Sequence, residues 1–450
     1  MTQKINVGMV SLGCDKNRVD AEQMLGILSN SNFNIVNDES KADVIIINTC
    51  GFIETAKQES INTILELSKN KKNGKCKGLI ATGCLAERYS NELLSEIPEL
   101  DAVVGVGNYM EIVSVIDSIL SGDKGIKKTD NINYDINIKS NRILTTPSYT
   151  AYVKISEGCN NNCSYCIIPK LRGIYRSRPM ENIQEEIQML SNDGVKEVIL
   201  VAQDTTKYGI DLYGKKMLTQ LIRNISKIDG LHWIRLLYCY PEDIDDELIQ
   251  EISTNERVCK YIDIPIQHIN NDILKRMRRL SNKSDIESLI VKLRKSIPEI
   301  IIRTSLIVGF PGETEEQFNE LYNFLSYYKL DRVGVFPYSQ EEQTDAANFD
   351  NQINDKIKKI RQKKLLELQK KISHNKNLEK IGRNYEVLIE KVKDGSVLIG
   401  RTYGDAPEID GTVCIKNESD NNYIGEFVSV KIIDSHDYDL IGEIIHESGK

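Results

Sequence analysis

Within Gly158-Cys159-Asn160-Asn161-Asn162-Cys163-Ser164-Tyr165-Cys166, three cysteines follow one another with three residues and then two between them. Three exposed thiols this close would be an oxidation liability unless a metal held them. A short loop of this kind can present three thiolates to a four-iron cluster and leave the fourth iron without a protein ligand. Proteins that only carry electrons normally coordinate every iron, so an open iron predicts that something else binds there. The stretch predicts an enzyme, and the fold must deliver this loop to a cavity.

The first third of the chain alternates strand-like and helix-like segments, the pattern of an open α/β domain. Asn6 to Leu12 ends at Gly13-Cys14, Ala42 to Asn48 ends at Thr49-Cys50, and Gly78 to Thr82 ends at Gly83-Cys84. Ligands of an open parallel sheet collect at the carboxyl ends of its strands. Cys14, Cys50 and Cys84 are therefore expected to converge as a second three-cysteine set, against the bland alternative of three packing residues in a core. Cys76, in the Lys-rich segment Lys71 to Lys77, reads as an incidental exposed thiol, and Gly105-Val106-Gly107 as a turn.

Gly122 to Pro147 is polar and weakly periodic, and reads as a linker. From Tyr149 the alternation becomes regular, with candidate strands Tyr149 to Ser156, Glu197 to Ala202, Trp233 to Tyr238, Tyr261 to Ile266, Ile300 to Val308 and Arg332 to Pro337. Six βα units predict a parallel barrel or partial barrel with its site at the carboxyl ends of the strands. The Cys159 loop leaves the first strand there; Gln203-Asp204, Gln267-His268 and Gly309 to Glu313 follow the second, fourth and fifth. Each has a plainer reading: Gln203 and Asp204 as caps, His268 as a structural histidine, and Gly309 to Gly312 as a turn before a helix capped by Thr314. Cys239 and Cys259 read as packing residues. The Lys-rich helix Ile353 to Leu378 has an apolar stripe, and a solvated helix packed on the barrel is favoured over an RNA-binding arm.

After Gly382, five short strands punctuated by glycine predict a small antiparallel β-barrel of the oligonucleotide-binding kind. Its charge argues otherwise about its partner. From Leu378 to Lys450 there are eight Lys or Arg and fifteen Asp or Glu, nearly all of the chain's net charge of −8. Phosphate binding needs cations, so direct RNA binding is disfavoured and a basic protein partner expected. The domains expected are 1–121, a linker at 122–147, the barrel at 148–377 and the small barrel at 378–447. No apolar run approaches membrane-spanning length and the first residues lead straight into a strand, so a cytoplasmic protein without membrane association is expected.

Cys159-x3-Cys163-x2-Cys166, with Tyr165 before the last cysteine, resembles the radical S-adenosylmethionine signature. Together with Cys14, Cys50 and Cys84 ahead of the barrel and a terminal module like the TRAM domain, the chain is similar to the methylthiotransferases over essentially its full length. The resemblance implies two 4Fe-4S clusters, one on Cys159, Cys163 and Cys166 and an auxiliary one on Cys14, Cys50 and Cys84. It also implies S-adenosylmethionine used twice, as methyl donor and as radical source, with an electron donor and a sulfur donor. Gln203, Gln267, Gly309 and Glu313 are its expected contacts, from strand-end position.

Ser11 to Asn17, Gln203 to Gly209, Asp263 to His268 and Asp405 to Gly411 resemble the ribosomal-protein branch of the family. The tRNA-modifying branch typically carries Gln-Asn in place of Gln203-Asp204, and Ser-Gly where His268 stands. That branch implies methylthiolation at the β-carbon of an aspartate in the twelfth small-subunit ribosomal protein, a basic protein met by the acidic module. The competing readings are a tRNA adenosine methylthiotransferase and, in another class, an iron-sulfur carrier.

Overall fold

A computed structural model describes residues 4–137, 142–394, 396–416 and 423–445. The N-terminal sheet comprises β1 (Ile5–Ser11), β2 (Phe33–Val36), β3 (Val44–Thr49), β4 (Gly78–Gly83), β5 (Ala102–Val104) and β6 (Ile126–Lys128), all parallel, in the order β2-β1-β3-β4-β5-β6. The apolar runs Ile45-Ile46-Ile47 and Leu79-Ile80-Ala81 are wholly buried, because helices cover both faces. β6 lies inside the polar stretch expected as a linker. Ile-Lys-Lys suits an edge strand, whose outer side meets water. Cys76, expected to be exposed, is buried: it enters β4 from the helix Glu54–Asn73, packs in the core between them, and its thiol donates to the Gly78 carbonyl at 3.2 Å.

The central domain contains β7 (Thr150–Lys154), a two-residue antiparallel pair of β8 (Ser156–Glu157) with β9 (Arg176–Ser177), then β10 (Glu197–Val201), β11 (Trp233–Leu236), β12 (Val258–Asp263), β13 (Ile301–Val308) and β14 (Arg332–Pro337). Its six-stranded parallel sheet runs β7-β10-β11-β12-β13-β14 and is open between the outer two, a partial barrel. β12 starts three residues before the expected Tyr261 and stops before Ile264-Pro265. Pro265 has no N–H for the ladder, and Lys260 interrupts the apolar run while its Nζ bonds the Asn255 carbonyl at 2.9 Å. Cys239 and Cys259 are packing residues, as read. The helix Asp355–Leu378 lies on the barrel through Leu365 and Ile372.

β15 (Asn384–Lys393), β16 (Val397–Arg401), β17 (Val413–Lys416), β18 (Phe427–Ser435) and β19 (Leu440–Ile444) close a barrel in the order β15-β16-β17-β19-β18. It is not wholly antiparallel as expected, since β17 and β19 are parallel. Five strands around a ring cannot all alternate in direction, so closure requires a parallel neighbour pair.

This barrel docks beneath the central one, at the amino ends of its strands. Glu197, the first residue of β10, is fully buried between Arg401 and Arg235, bonding both. Trp233, the first residue of β11, stacks edge-on with Phe427, ring centres 4.7 Å apart. Part of the module's acidity goes into docking: Asp405 meets Arg332 at 2.5 Å and Glu426 Lys196 at 2.7 Å on the central domain, and Glu408 meets Arg18, on the N-terminal helix Asp15–Ser29, at 2.8 Å.

Candidate functional site

Cys14, Cys50 and Cys84 stand at the ends of β1, β3 and β4, adjacent strands of the parallel sheet. Side chains beside them tie the three ends together. Asn17 Nδ2 donates to the Leu12 carbonyl at 3.1 Å and the Thr49 carbonyl at 2.9 Å, and Asn48 Nδ2 to the Asn17 carbonyl at 2.7 Å. Thr49 Oγ1 donates to the Thr82 carbonyl at 2.6 Å. The residues before the first and third cysteines must be glycine. Gly13 has φ +90° and a Cβ there would lie 2.8 Å from that of Cys50; Gly83 has φ +91° and a Cβ would lie 2.4 Å from Asn48 Oδ1.

Cys159, Cys163 and Cys166 occupy the irregular segment between β8 and the short helix Ile168–Arg172. Two of its asparagines are structural parts. Asn160 Oδ1 accepts from the Tyr175 amide at 2.9 Å, and Asn161 Nδ2 donates to Asp204 at 3.0 Å while its Oδ1 accepts from Lys207 at 2.5 Å. Ser164 Oγ donates to the Arg276 carbonyl at 2.7 Å, fixing the middle of the loop to the far wall. Arg279 brings a buried guanidinium to within 4.0 Å of Cys163 Sγ and lies 4.3 Å over the Tyr240 ring.

Burial and mutual repulsion govern the thiols. Cys50 is pushed up to about 12, by burial first and then by the neighbouring Cys84 and Cys14 sulfurs. Cys159 is pushed up to about 11, again chiefly by burial, against the Asn161 amide that donates to its sulfur at 3.4 Å. Cys166 is raised by burial and by Cys163. Metal coordination reverses this preference by binding the thiolate. Among the described residues no three His, Cys, Asp or Glu side chains converge tightly enough to share one metal ion. Two sets of three cysteines, each offering sulfur alone, match the donor chemistry of iron–sulfur clusters.

The strand-end residues differ in what they offer. Gln203 Nε2 donates to Glu157 Oε1 at 2.5 Å, leaving its own buried Oε1 without a partner. Gln267 has φ 69° and joins β13 through a lone bridge to Leu306. Glu313 is turned inward: its Oε2 accepts from the Gly309 and Phe310 amides, the latter at 3.1 Å, and pairs with Arg361 at 3.4 Å. Its Oε1 faces His268 Nε2 at 3.9 Å, each lacking a hydrogen-bond partner, while His268 Nδ1 accepts from the Asn270 amide. His268 is wholly buried, in keeping with its structural reading.

The two cysteine sets share one side of the molecule. The helix begun by Cys14 reaches over the mouth of the central barrel, where Lys16 Nζ sits 3.3 Å from the centre of the Tyr238 ring, just past the end of β11. Beneath them lies a charged group that the sequence reading missed. Lys154 bonds Asp20 at 2.5 Å and Glu157 at 2.7 Å, and Arg172 bonds the same two carboxylates at 2.6 and 3.1 Å, all four side chains being buried. Two cations balance two anions, as burial demands. Glu157 precedes Gly158-Cys159 and Arg172 follows Cys166 by six residues, but one sequence does not mark either as buried.

Comparison with known proteins finds a match within each of the three parts of the chain. Residues 6–105 match an uncharacterized protein family, UPF0004; residues 153–325 match the radical SAM superfamily; and residues 381–445 match the TRAM domain. Membership of the radical SAM superfamily brings a 4Fe-4S cluster and S-adenosylmethionine. A solved radical S-adenosylmethionine methyltransferase, TsrM from Kitasatospora setae, shares the fold with a TM-score of 0.57 at 14% identity, over 74% of this chain and 72% of that one. Among curated proteins, ribosomal protein uS12 methylthiotransferase RimO of Clostridium botulinum (strain Eklund 17B) is 56% identical over 99% of this chain and 100% of its own length. RimO of Thermoanaerobacter sp. (strain X514) is 55% identical over 97% and 99%. At such identity over whole chains the relationship is one of descent: the chain belongs to the RimO family of radical SAM methylthiotransferases.

Proposed function

We propose that this protein adds a methylthio group to the β-carbon of an aspartate in ribosomal protein uS12, in the cytoplasm. The observation that carries the reading is the nearness of the two three-cysteine sets, Cys84 packing against Ile167 next to Cys166, in a chain whose full-length relatives are named ribosomal protein uS12 methylthiotransferases. Cys159, Cys163 and Cys166 hold a 4Fe-4S cluster with an open iron, and Cys14, Cys50 and Cys84 hold the second. When bound, the first cluster would supply, with S-adenosylmethionine, the radical chemistry that takes hydrogen from an unactivated carbon, and the second would supply sulfur.

The chain's own residues hold and orient. Gln203, with its free buried Oε1, and the backbone of Gln267 and Gly309 line the mouth as contacts for S-adenosylmethionine. Glu313 acts one step back, shaping the Gly309-Phe310 turn with both amides bound to one carboxylate oxygen. Arg279 sets a fixed positive charge beside Cys163, suited to an anionic cluster. An external electron donor and a sulfur donor complete the reaction. The C-terminal barrel's remaining acidic surface, with Asp394 and Glu443, offers charge complementary to a basic ribosomal protein.

The experiment is an anaerobic reaction of the reconstituted protein with S-adenosylmethionine, dithionite and uS12. Formation of 5′-deoxyadenosine together with a methylthio increment on an aspartate-containing uS12 peptide is expected. Release of 5′-deoxyadenosine with transfer to tRNA adenosine and none to uS12 contradicts the substrate assignment; no cleavage at all contradicts the enzyme reading.

A further inference from the structure

Arg172 sits where the two halves of the site meet. It ends the five-residue helix that begins just after Cys166, so its backbone belongs to the loop of the first cysteine set. Its side chain leaves that loop and reaches the second. Nη2 lies 3.4 Å from Cys84 Sγ and also donates to Asn17 Oδ1, the residue that ties the strand ends before Cys14 and Cys50. Nη1 donates to Asp20 at 2.6 Å and to Glu157 at 3.1 Å, and the residue is 1% exposed.

The two carboxylates beside Nη1 are already balanced by Lys154 and Arg172 together, so pairing alone does not require the guanidinium's other edge to face a sulfur. A lysine there would neutralise equally well. What the fork adds is a second pair of N–H groups, aimed at Cys84 and Asn17, held rigid by the ion pairs behind it. Hydrogen bonds to cluster sulfurs and nearby positive charge favour the more negative, reduced state and so raise a cluster's reduction potential.

Resting on the two-cluster reading above, we propose that Arg172 is a positioning residue that donates to the Cys84 thiolate and raises the reduction potential of the auxiliary cluster. It acts through Cys84, its own side chain being buried against protein groups. Its bond to Glu157, whose other oxygen accepts from Gln203 at 2.5 Å, fixes it at the same time to the barrel mouth.

The test uses the full chain with Cys159, Cys163 and Cys166 all replaced by Ala, so that only the auxiliary set can load. After anaerobic reconstitution, iron per chain is measured and the cluster titrated with dithionite, its reduced form read by electron paramagnetic resonance. In that background Arg172→Gln and Arg172→Lys are compared with the parent. Both variants are expected to keep the parent's iron and to shift the midpoint to lower potential, Gln further than Lys. A midpoint unchanged in both overturns the proposal. Loss of iron from both, with circular dichroism unchanged, also overturns it, assigning Arg172 to assembly of the site instead. A parent chain that binds no iron overturns the two-cluster reading itself, a result separate from either.

Discussion

Gly83→Ala is a single-methyl test of how the auxiliary set is built. Gly83 has φ 91° and ψ −156°, a region that residues with a Cβ essentially do not enter, at a cost of about 1–3 kcal/mol. The added Cβ would lie 2.4 Å from Asn48 Oδ1 and 2.6 Å from the Thr49 carbonyl oxygen. Those atoms cannot swing away freely: Asn48 Nδ2 is bonded to the Asn17 carbonyl, and Thr49 O accepts from Asn17 Nδ2. Overpacking of this kind costs roughly 1–3 kcal/mol, so the total is about 2–6 kcal/mol, a large share of a domain's stability. The displacement falls on the strand ends that carry Cys50 and Cys84. The comparison is Gly194→Ala, where φ is +98° but no atom lies within 4 Å, so only backbone strain is paid. Thermal unfolding by circular dichroism and iron per chain after reconstitution are the measurements. Gly83→Ala is expected to lower both well below Gly194→Ala. Equal stability and equal iron in the two variants would refute the claim that these strand ends are rigidly locked.

The remaining expectations concern separate parts of the chain. Cys50→Ala should lower bound iron by about four per chain while S-adenosylmethionine cleavage persists, as analytical iron content and chromatography of 5′-deoxyadenosine will show. Glu197→Ala leaves buried Arg235 without a carboxylate and Arg401 with Glu390 alone in the interface beneath the central barrel, and should cost about 3–5 kcal/mol, whereas the exposed Glu426→Ala should cost about 0–1 kcal/mol; denaturant unfolding distinguishes them. Glu87 is raised to about 7, by burial above all. The folded chain therefore keeps a proton that the unfolded chain releases from about pH 4.5 upward, so stability falls between there and about pH 7. Glu87→Gln, keeping the acceptor for the Val106 amide, should match the wild-type melting temperature at pH 4 and exceed it at pH 8.

The sequence made the sheet-and-cysteine logic legible because a parallel strand buried on both faces reads as an unbroken apolar run, and each such run stops at its cysteine. Ile45 to Ile47 before Cys50 and Leu79 to Ala81 before Cys84 are of this kind. The local loop of Cys159, Cys163 and Cys166 needed only spacing. Polar residues with structural duties were not legible. Ile126 to Lys128 looks like linker because an edge strand needs few apolar residues, and Lys260 hides the start of β12 because its ammonium bonds carbonyls instead of water. Buried charge was the largest omission: Asp20, Lys154, Glu157 and Arg172 come from three segments, and only the fold makes them neighbours. The acidity of the last domain was read correctly in amount, yet Asp405, Glu408 and Glu426 pair with cations elsewhere in this chain.

The mass of uS12 in cells reports the activity most directly. Ribosomal proteins and tRNA nucleosides from cells with and without this chain can be compared by intact-mass and nucleoside mass spectrometry. A methylthio increment on uS12 that is present with the chain, absent without it and localised to an aspartate is the predicted result. An unmodified uS12 in both, with a methylthio-adenosine in tRNA that depends on the chain, would contradict it.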